Sequence, residues 1–229
     1  MNDDYVDQAK GLLSEIGVHQ LSQCVWAFTH IHTANLAYIH HSREPVALAA
    51  YAAVNPTFAA GRFPDWGLVD MVDKVPCMDG IEHTALAMVC GASMPTFPSS
   101  SERGNIFGQA VWSVVEAYSL GGCFERVERA YGTPGWHYNL RPRGFDWAGG
   151  EDPDPQSLKA MRKNYRAMSP LQQIMVLTIM HLYNQGKDKT YLTGGCPTKI
   201  PAEEAMDILR SNGSALSAWG HLVTHYADW

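Results

Sequence analysis

Two histidines and a carboxylate near the end of the chain have the spacing of metal ligands. His221, His225 and Asp228 lie at positions i, i+4 and i+7, which places all three on one face of a helix. Two imidazoles and a carboxylate form the ligand set of many non-haem iron sites and of some zinc sites. The apolar residues of the segment centre on the opposite face, so a metal would lie on the surface unless another segment covered it. We therefore predict no metal and no cofactor, and keep the three residues as candidate ligands only.

Two of the five cysteines follow pairs of glycines and are candidate nucleophiles. Cys123 and Cys196 each close a Gly-Gly-Cys triplet. Cys123 opens a helix predicted over 124–131, where the helix dipole would lower the pKa of a thiol. The cysteines are odd in number, widely spaced and without a Cys-x-x-Cys pair, which argues against a disulfide framework and favours a reducing compartment. We expect a cytoplasmic protein, with a metal- or thiol-dependent enzyme as one alternative.

Common catalytic and nucleotide-binding motifs are missing from the sequence. The segment Gly91-Ala92-Ser93-Met94-Pro95 has proline where the Gly-x-Ser-x-Gly nucleophile elbow requires its last glycine. There is no Walker A loop, and no Gly-x-Gly-x-x-Gly follows a predicted strand. These features favour a function without catalysis.

The segment 132–155 combines turn residues with large aromatic and arginine side chains. Its five glycines and four prolines predict a long loop or a β-hairpin, and its four large aromatics argue against disorder. Trp, Tyr and Arg dominate the energetics of protein interfaces. Trp112, outside the loop, lies on the polar face of the helix predicted over 101–120, where burial in the core would not explain a large aromatic side chain. The predicted partner-binding residues are Trp112, Trp136, Tyr138, Arg141, Arg143, Phe145 and Trp147. The alternative is that the loop aromatics fasten the segment to the core.

A basic stripe follows on the helix predicted over 156–168. Lys159, Arg162, Lys163 and Arg166 share one helical face, which suits a phosphate backbone or an acidic partner and is also common on solvated helices. The last two predicted helices, 201–210 and 214–226, have the layout of a helix-turn-helix. The outward positions of the second helix carry no Arg or Lys, which weakens that interpretation. A nucleic-acid-associated protein is the second alternative.

Composition points to a covered surface. Charged residues make up 17% of the chain, against about 25% in a typical soluble domain, while seven Trp and ten Tyr are many for 229 residues. Residues 1–120 carry a net charge of −7 and residues 121–229 carry +1, so any anion-binding surface should lie in the second half. We predict a protein partner, with a homo-oligomer as a further option.

Apolar residues recur at a helical period and predict an all-α fold. We expect one compact domain of about nine or ten helices, with 132–155 as the only candidate sub-domain boundary. The helix over 170–185 is apolar nearly all round and should be central and buried, and Ser169 with Gln172 forms a capping box at its start. The other predicted helices are 3–16, 21–41, 44–54, 65–75, 79–90, 101–120 and 124–131, besides those given above.

Membrane association is not expected. The longest apolar run, Val46 to Val54, is too short to span a bilayer, and the acidic N-terminal residues do not resemble a signal peptide. Taken together, the sequence favours a non-enzymatic helical protein that regulates or inhibits a larger protein by docking on it.

Overall fold

A computed structural model describes residues 18–22, 25–28, 38–40, 67–73, 83, 86–87, 90–93, 100–127, 136–145, 152–184 and 191–226. This part of the chain is mostly helical, as predicted, but it also contains two small antiparallel sheets. Its helices are α1 (Leu68–Val72), α2 (Ser100–Ala117), α3 (Pro155–Ala167), α4 (Pro170–Asn184), α5 (Ala202–Ser211) and α6 (Ala215–Thr224). Its strands are β1 (Val18–Ser22), β2 (Val25–Phe28), β3 (Tyr38–His40), β4 (Phe124–Arg126) and β5 (Leu140–Pro142). None of these helices is long and apolar enough to cross a bilayer.

The helix predicted over 21–41 is wrong for the residues that the structure describes there, 21–22, 25–28 and 38–40, which form strands. Strands β1, β2 and β3 form an antiparallel sheet in that order, with Val18 opposite Phe28 and Val25 opposite His40. Valine, tryptophan, phenylalanine and tyrosine supply most of the apolar residues here, and β-branched and aromatic side chains favour a pleated surface over a helix. The predicted helices 3–16 and 44–54 lie outside the described residues.

The central helix is where the sequence places it. Every residue of α4 from Ile174 to Leu182 is buried. The capping box is formed as predicted: the Gln172 backbone N–H donates to Ser169 Oγ at 3.3 Å, and the Ser169 N–H donates to Gln172 Oε1 at 3.0 Å. Trp219 of α6 donates its indole N–H to Thr178 Oγ1 at 3.0 Å, which satisfies two polar groups in the core.

Helix α2 also matches its predicted range. Phe107, Val111, Val114 and Val115 pack into the core. Gly104 permits a close approach, because a Cβ atom at this position would lie 3.2 Å from the His137 ring. The 3-10 helix His137–Asn139 therefore sits directly against the first turns of α2.

The region after α2 differs from the prediction in two ways. The helix expected over 124–131 is replaced at 124–126 by strand β4, and the described part of 132–155 contributes one strand, β5, which pairs outside that segment. Strand β5 pairs with β4, so that Glu125 lies opposite Arg141 and Arg126 opposite Leu140. Strand β4 precedes the segment 132–155 in sequence, so the residue pattern within that segment alone does not indicate the pairing.

A glycine with positive φ joins this sheet to α3. Gly144 has φ +85°, and a Cβ atom there would lie 2.6 Å from the Leu158 backbone nitrogen. Its carbonyl accepts from the Asp154 N–H at 2.9 Å. Asp154 in turn caps α3 by accepting from the Gln156 N–H at 3.0 Å. The end of the loop is therefore fixed to the helix that carries the basic stripe.

Helices α5 and α6 follow their predicted ranges closely. Ala205, Met206 and Leu209 of α5 are fully buried. The segment before α5 reaches back to α1, where the Leu68 N–H donates to Ile200 O at 2.8 Å. Helix α6 packs against both α2 and α4, and this arrangement positions His221 and His225.

Candidate functional site

Trp112 lies on the outer side of α2, half-buried, beside a strand arginine. The guanidinium carbon of Arg126 in β4 lies 5.2 Å from the centre of the Trp112 ring. A cation over an indole face is attractive by roughly 0.5–1 kcal/mol at a partly exposed site. The Trp112 indole N–H is buried without a hydrogen-bond acceptor in the part of the chain that the structure describes.

The two loop arginines converge on one carboxylate. Arg141 Nε donates to Glu125 Oε1 at 2.7 Å, and an Arg143 terminal nitrogen donates to Glu125 Oε2 at 3.2 Å. Arg143 Nε also donates to Gly121 O at 2.7 Å. These three ionic side chains together carry a charge of +1. The arginines are thus held in fixed positions along the β4–β5 sheet rather than at the tip of a hairpin.

The other predicted loop aromatics are fastened to the body of the protein. Trp136 and Tyr138 are half-buried and meet edge to face at 5.0 Å, the Tyr138 ring lies 6.5 Å from that of Tyr183 in α4, and Trp136 lies beside Gly104 of α2. Phe145 meets the buried Tyr191 edge to face at 4.9 Å. Trp147 lies outside the described residues. The structure therefore places Trp136, Tyr138 and Phe145 in anchoring contacts, which is the arrangement that the alternative interpretation expects.

The basic stripe divides into two pairs. Arg162 Nε donates to Tyr191 O at 2.7 Å, and an Arg166 terminal nitrogen donates to Gly194 O at 3.2 Å. Both arginines thereby hold the irregular segment 191–200 against α3. Lys159 and Lys163 are exposed on the same helix, so the stripe is placed as predicted but half of it has a structural task.

Among the cysteines that the structure describes, Cys123 does not have the surroundings of a reactive thiol. It follows the 3-10 helix Leu120–Gly122 and precedes strand β4, so it does not open a helix, and burial raises the pKa of its thiol to about 12. The expectation of a lowered Cys123 pKa is wrong for this reason. Cys196 packs on the same helix: its Sγ lies 4.0 Å from Arg162 O, while Cys123 Sγ lies 3.9 Å from Met161 O.

The C-terminal histidines are less exposed than their helical face suggested. His221 and His225 are half-buried with ring centres 3.9 Å apart, and burial lowers the pKa of each, that of His225 to about 4. Asp228 lies outside the described residues. Among the residues the structure describes, no group of three metal-ligating side chains is assembled.

The segment that covers this face of α6 is the turn that follows Cys90, a residue in helical conformation. Ser217 Oγ donates to Gly91 O at 2.9 Å, and Ser93 Oγ lies 2.5 Å from His221 Nδ1. Thr224, which a recognition helix would have to present outward, is buried and donates to Gly220 O at 2.7 Å. A recognition helix needs this face free for DNA, so the packing weakens the helix-turn-helix interpretation.

Sequence inspection missed Ser93 as a functional candidate. The segment 91–95 departs from the nucleophile-elbow motif at Pro95, and the histidine partner of Ser93 lies 128 residues away in sequence. No local signal identifies such a pair.

Comparison of the chain with protein-family models, with curated proteins and with solved structures found no match, so its function is inferred from its own geometry.

Proposed function

We propose that this protein acts by docking on a larger protein, as a regulator or inhibitor of it. The centre of the docking surface is Trp112 on α2 with Arg126 on β4, while Arg141 and Arg143 lie on the other face of the short β4–β5 sheet, where Glu125 holds them. The observation that carries the proposal is the stacking of Arg126 on the half-buried Trp112 at 5.2 Å. Tryptophan and arginine are the residue types most enriched among interface hot spots.

Preorganisation of this surface supports the proposal. Trp112 belongs to an 18-residue helix, and Arg141 and Arg143 are held by Glu125 before any partner arrives. Side chains that are already ordered lose less conformational entropy on binding than mobile ones. A surface of this kind can bind tightly without being large.

Charge indicates the chemistry of the partner. Arg126, Arg141 and Arg143 together with Glu125 carry a net charge of +2, within the half of the chain whose net charge is +1. Complementary potentials speed association and exclude wrong partners. We therefore expect the partner to present an acidic patch with an apolar depression that accepts the indole of Trp112.

The test compares two double variants in a quantitative pull-down from host extract. Trp112→Ala with Arg126→Ala removes the centre of the docking surface, and Lys159→Ala with Lys163→Ala is the matched control on exposed positions of α3. The expected result is a protein that wild type and control enrich equally and that the first variant loses. For that purified protein, affinity should fall by about 30-fold or more. Equal enrichment by all three chains would remove the basis of the proposal.

Nucleic-acid binding is the second candidate function, supported by the exposed Lys159 and Lys163. Because Arg162 and Arg166 donate to backbone carbonyls, fewer side chains are available to contact phosphate than the four residues of the basic stripe suggest. A mobility-shift titration near 50 mM salt with generic duplex and single-stranded probes tests it. Binding that weakens steeply with added salt would favour this candidate over docking on a protein.

A further inference from the structure

A cleft on the far side of α2 from Trp112 contains an unassigned serine–histidine pair. The cleft has a volume of about 360 Å³, within the range of small-molecule sites. At 100° per residue, Trp112 and the cleft residue Ala110 point about 160° apart on the helix. The cleft and the docking surface are therefore separate features of the molecule.

The chain places Ser93 over α6 by three local devices. Gly91 has φ +67°, and the Ala92 N–H donates to Ala87 O at 2.8 Å, which is the bond of a Schellman helix stop. Ser217 then ties the Gly91 carbonyl to α6. Gly220 lets the turn approach, because a Cβ atom at that position would overlap Cys90.

The pair has the geometry of a nucleophile and its base. Ser93 is exposed at the mouth of the cleft, and its Oγ lies at hydrogen-bond distance from His221 Nδ1. Burial lowers the pKa of His221, so the imidazole is neutral at pH 7 and Nδ1 can accept the hydroxyl proton. His225, stacked on His221, is also neutral at that pH, since burial brings its pKa to about 4.

The walls of the cleft indicate the class of substrate. Its apolar lining residues are small, namely Ala110, Val114, Ala117 and Ala218. Its hydroxyl groups, besides Ser93, come from Ser113, Ser214, Ser217 and Tyr118. A short acyl group suits the small apolar side chains, while the hydroxyls suit the oxygen atoms of an ester.

We propose that Ser93 and His221 hydrolyse esters of short acyl groups. Ser93 Oγ attacks the ester carbonyl carbon and passes its proton to His221 Nδ1. The tetrahedral intermediate collapses to acyl-Ser93 and expels the alcohol, which leaves with the proton that His221 held. His221 then takes a proton from water as the hydroxide attacks the acyl group, and returns it to Ser93 as the carboxylic acid departs.

A fluorophosphonate probe and mass spectrometry of the full chain test the pairing directly. The serine hydroxyl displaces fluoride from phosphorus only when a base activates it, so Ser93 should be labelled and the exposed Ser211 should not. His221→Ala should slow the labelling by about 10²-fold or more. An unlabelled Ser93 in folded protein, or an unchanged rate in the His221 variant, would overturn the proposal.

Hydrolysis of p-nitrophenyl acetate and p-nitrophenyl decanoate supplies the second readout. The acetate should be cleaved above background and faster than the decanoate, and Ser93→Ala should return the rate to background while the thermal melt is unchanged. If His221→Ala unfolds, His221→Gln is the substitute. Hydrolysis that survives Ser93→Ala would contradict the assignment. Neither assay uses the docking surface, so this proposal and the proposed function can fail separately.

Discussion

The Arg126 guanidinium lies over the Trp112 ring, yet the indole N–H of that same tryptophan is buried and has no acceptor within the described residues. A buried donor left unsatisfied reduces stability by about 1–3 kcal/mol. A contact between the outer face of Trp112 and a partner protein explains this residue better than packing alone.

Trp112→Phe should therefore change the free energy of unfolding by less than about 1 kcal/mol, because the lost packing is offset by removal of the unsatisfied N–H. Trp219→Phe is the matched comparison, since the Trp219 side chain is 1% exposed and bonded to Thr178. That variant should lose about 2–4 kcal/mol. Urea unfolding measures both, and equal losses would show that the Trp112 N–H is satisfied.

Gly144 should not tolerate a side chain. Alanine there meets an unfavourable φ and the backbone of Leu158, so Gly144→Ala should lower stability by about 2–5 kcal/mol. Gly213→Ala separates the two causes: it has φ +57° with open space around it, so it should lose only about 1–2 kcal/mol. Similar losses for both variants in chemical denaturation would mean that the contact with α3 is looser than described.

The two halves of the basic stripe should respond differently to truncation. Arg162→Ala removes the bond to the carbonyl of buried Tyr191 and should destabilise the fold by about 1–2 kcal/mol. Lys163→Ala, on an exposed position of the same helix, should stay within about 0.5 kcal/mol of wild type. Thermal melts of the two variants decide the point. Identical melting temperatures would mean that Arg162 has no structural role and that all four basic side chains of the stripe belong to a solvated helix face.

Stability should fall as the solution is acidified from pH 7 to pH 5. Burial lowers the pKa of His137 from 6.5 to about 3, so the unfolded chain gains a proton in this window that the folded chain does not. The loss should begin near pH 6.5, and His137 should account for about 1–2 kcal/mol of it by pH 5. His137→Phe should flatten the dependence of the melting temperature on pH, while His225 leaves a residual slope for the same reason. An unaltered slope would assign the acid sensitivity elsewhere.

Features encoded locally were predictable from the sequence. The Ser169–Gln172 capping box and the apolar surround of α4 act within one or two helical turns, so the sequence order itself contains the interaction. The basic stripe was placed on one face for the same reason. Its contacts with Tyr191 O and Gly194 O were not predictable, because they join an irregular segment that has no periodic signal.

Features that depend on distant pairing were missed. Strand β4 is only three residues long, and its partner β5 lies beyond an intervening segment, so neither had enough length to show an alternating pattern. In residues 21–41 the helical period of the apolar residues coexisted with β-favouring residue types, and pairing with β1 decided the outcome. Ser93 became a candidate only through its contact with His221.

Hydrogen exchange of the chain, alone and with the purified partner that wild type captures, tests the docking claim most directly. Docking through Trp112 and the arginines predicts slower exchange in the middle of α2 and along β4 and β5, with unchanged exchange in α3. Protection confined to α3, or to the segments far from β4 and β5, would contradict the claim.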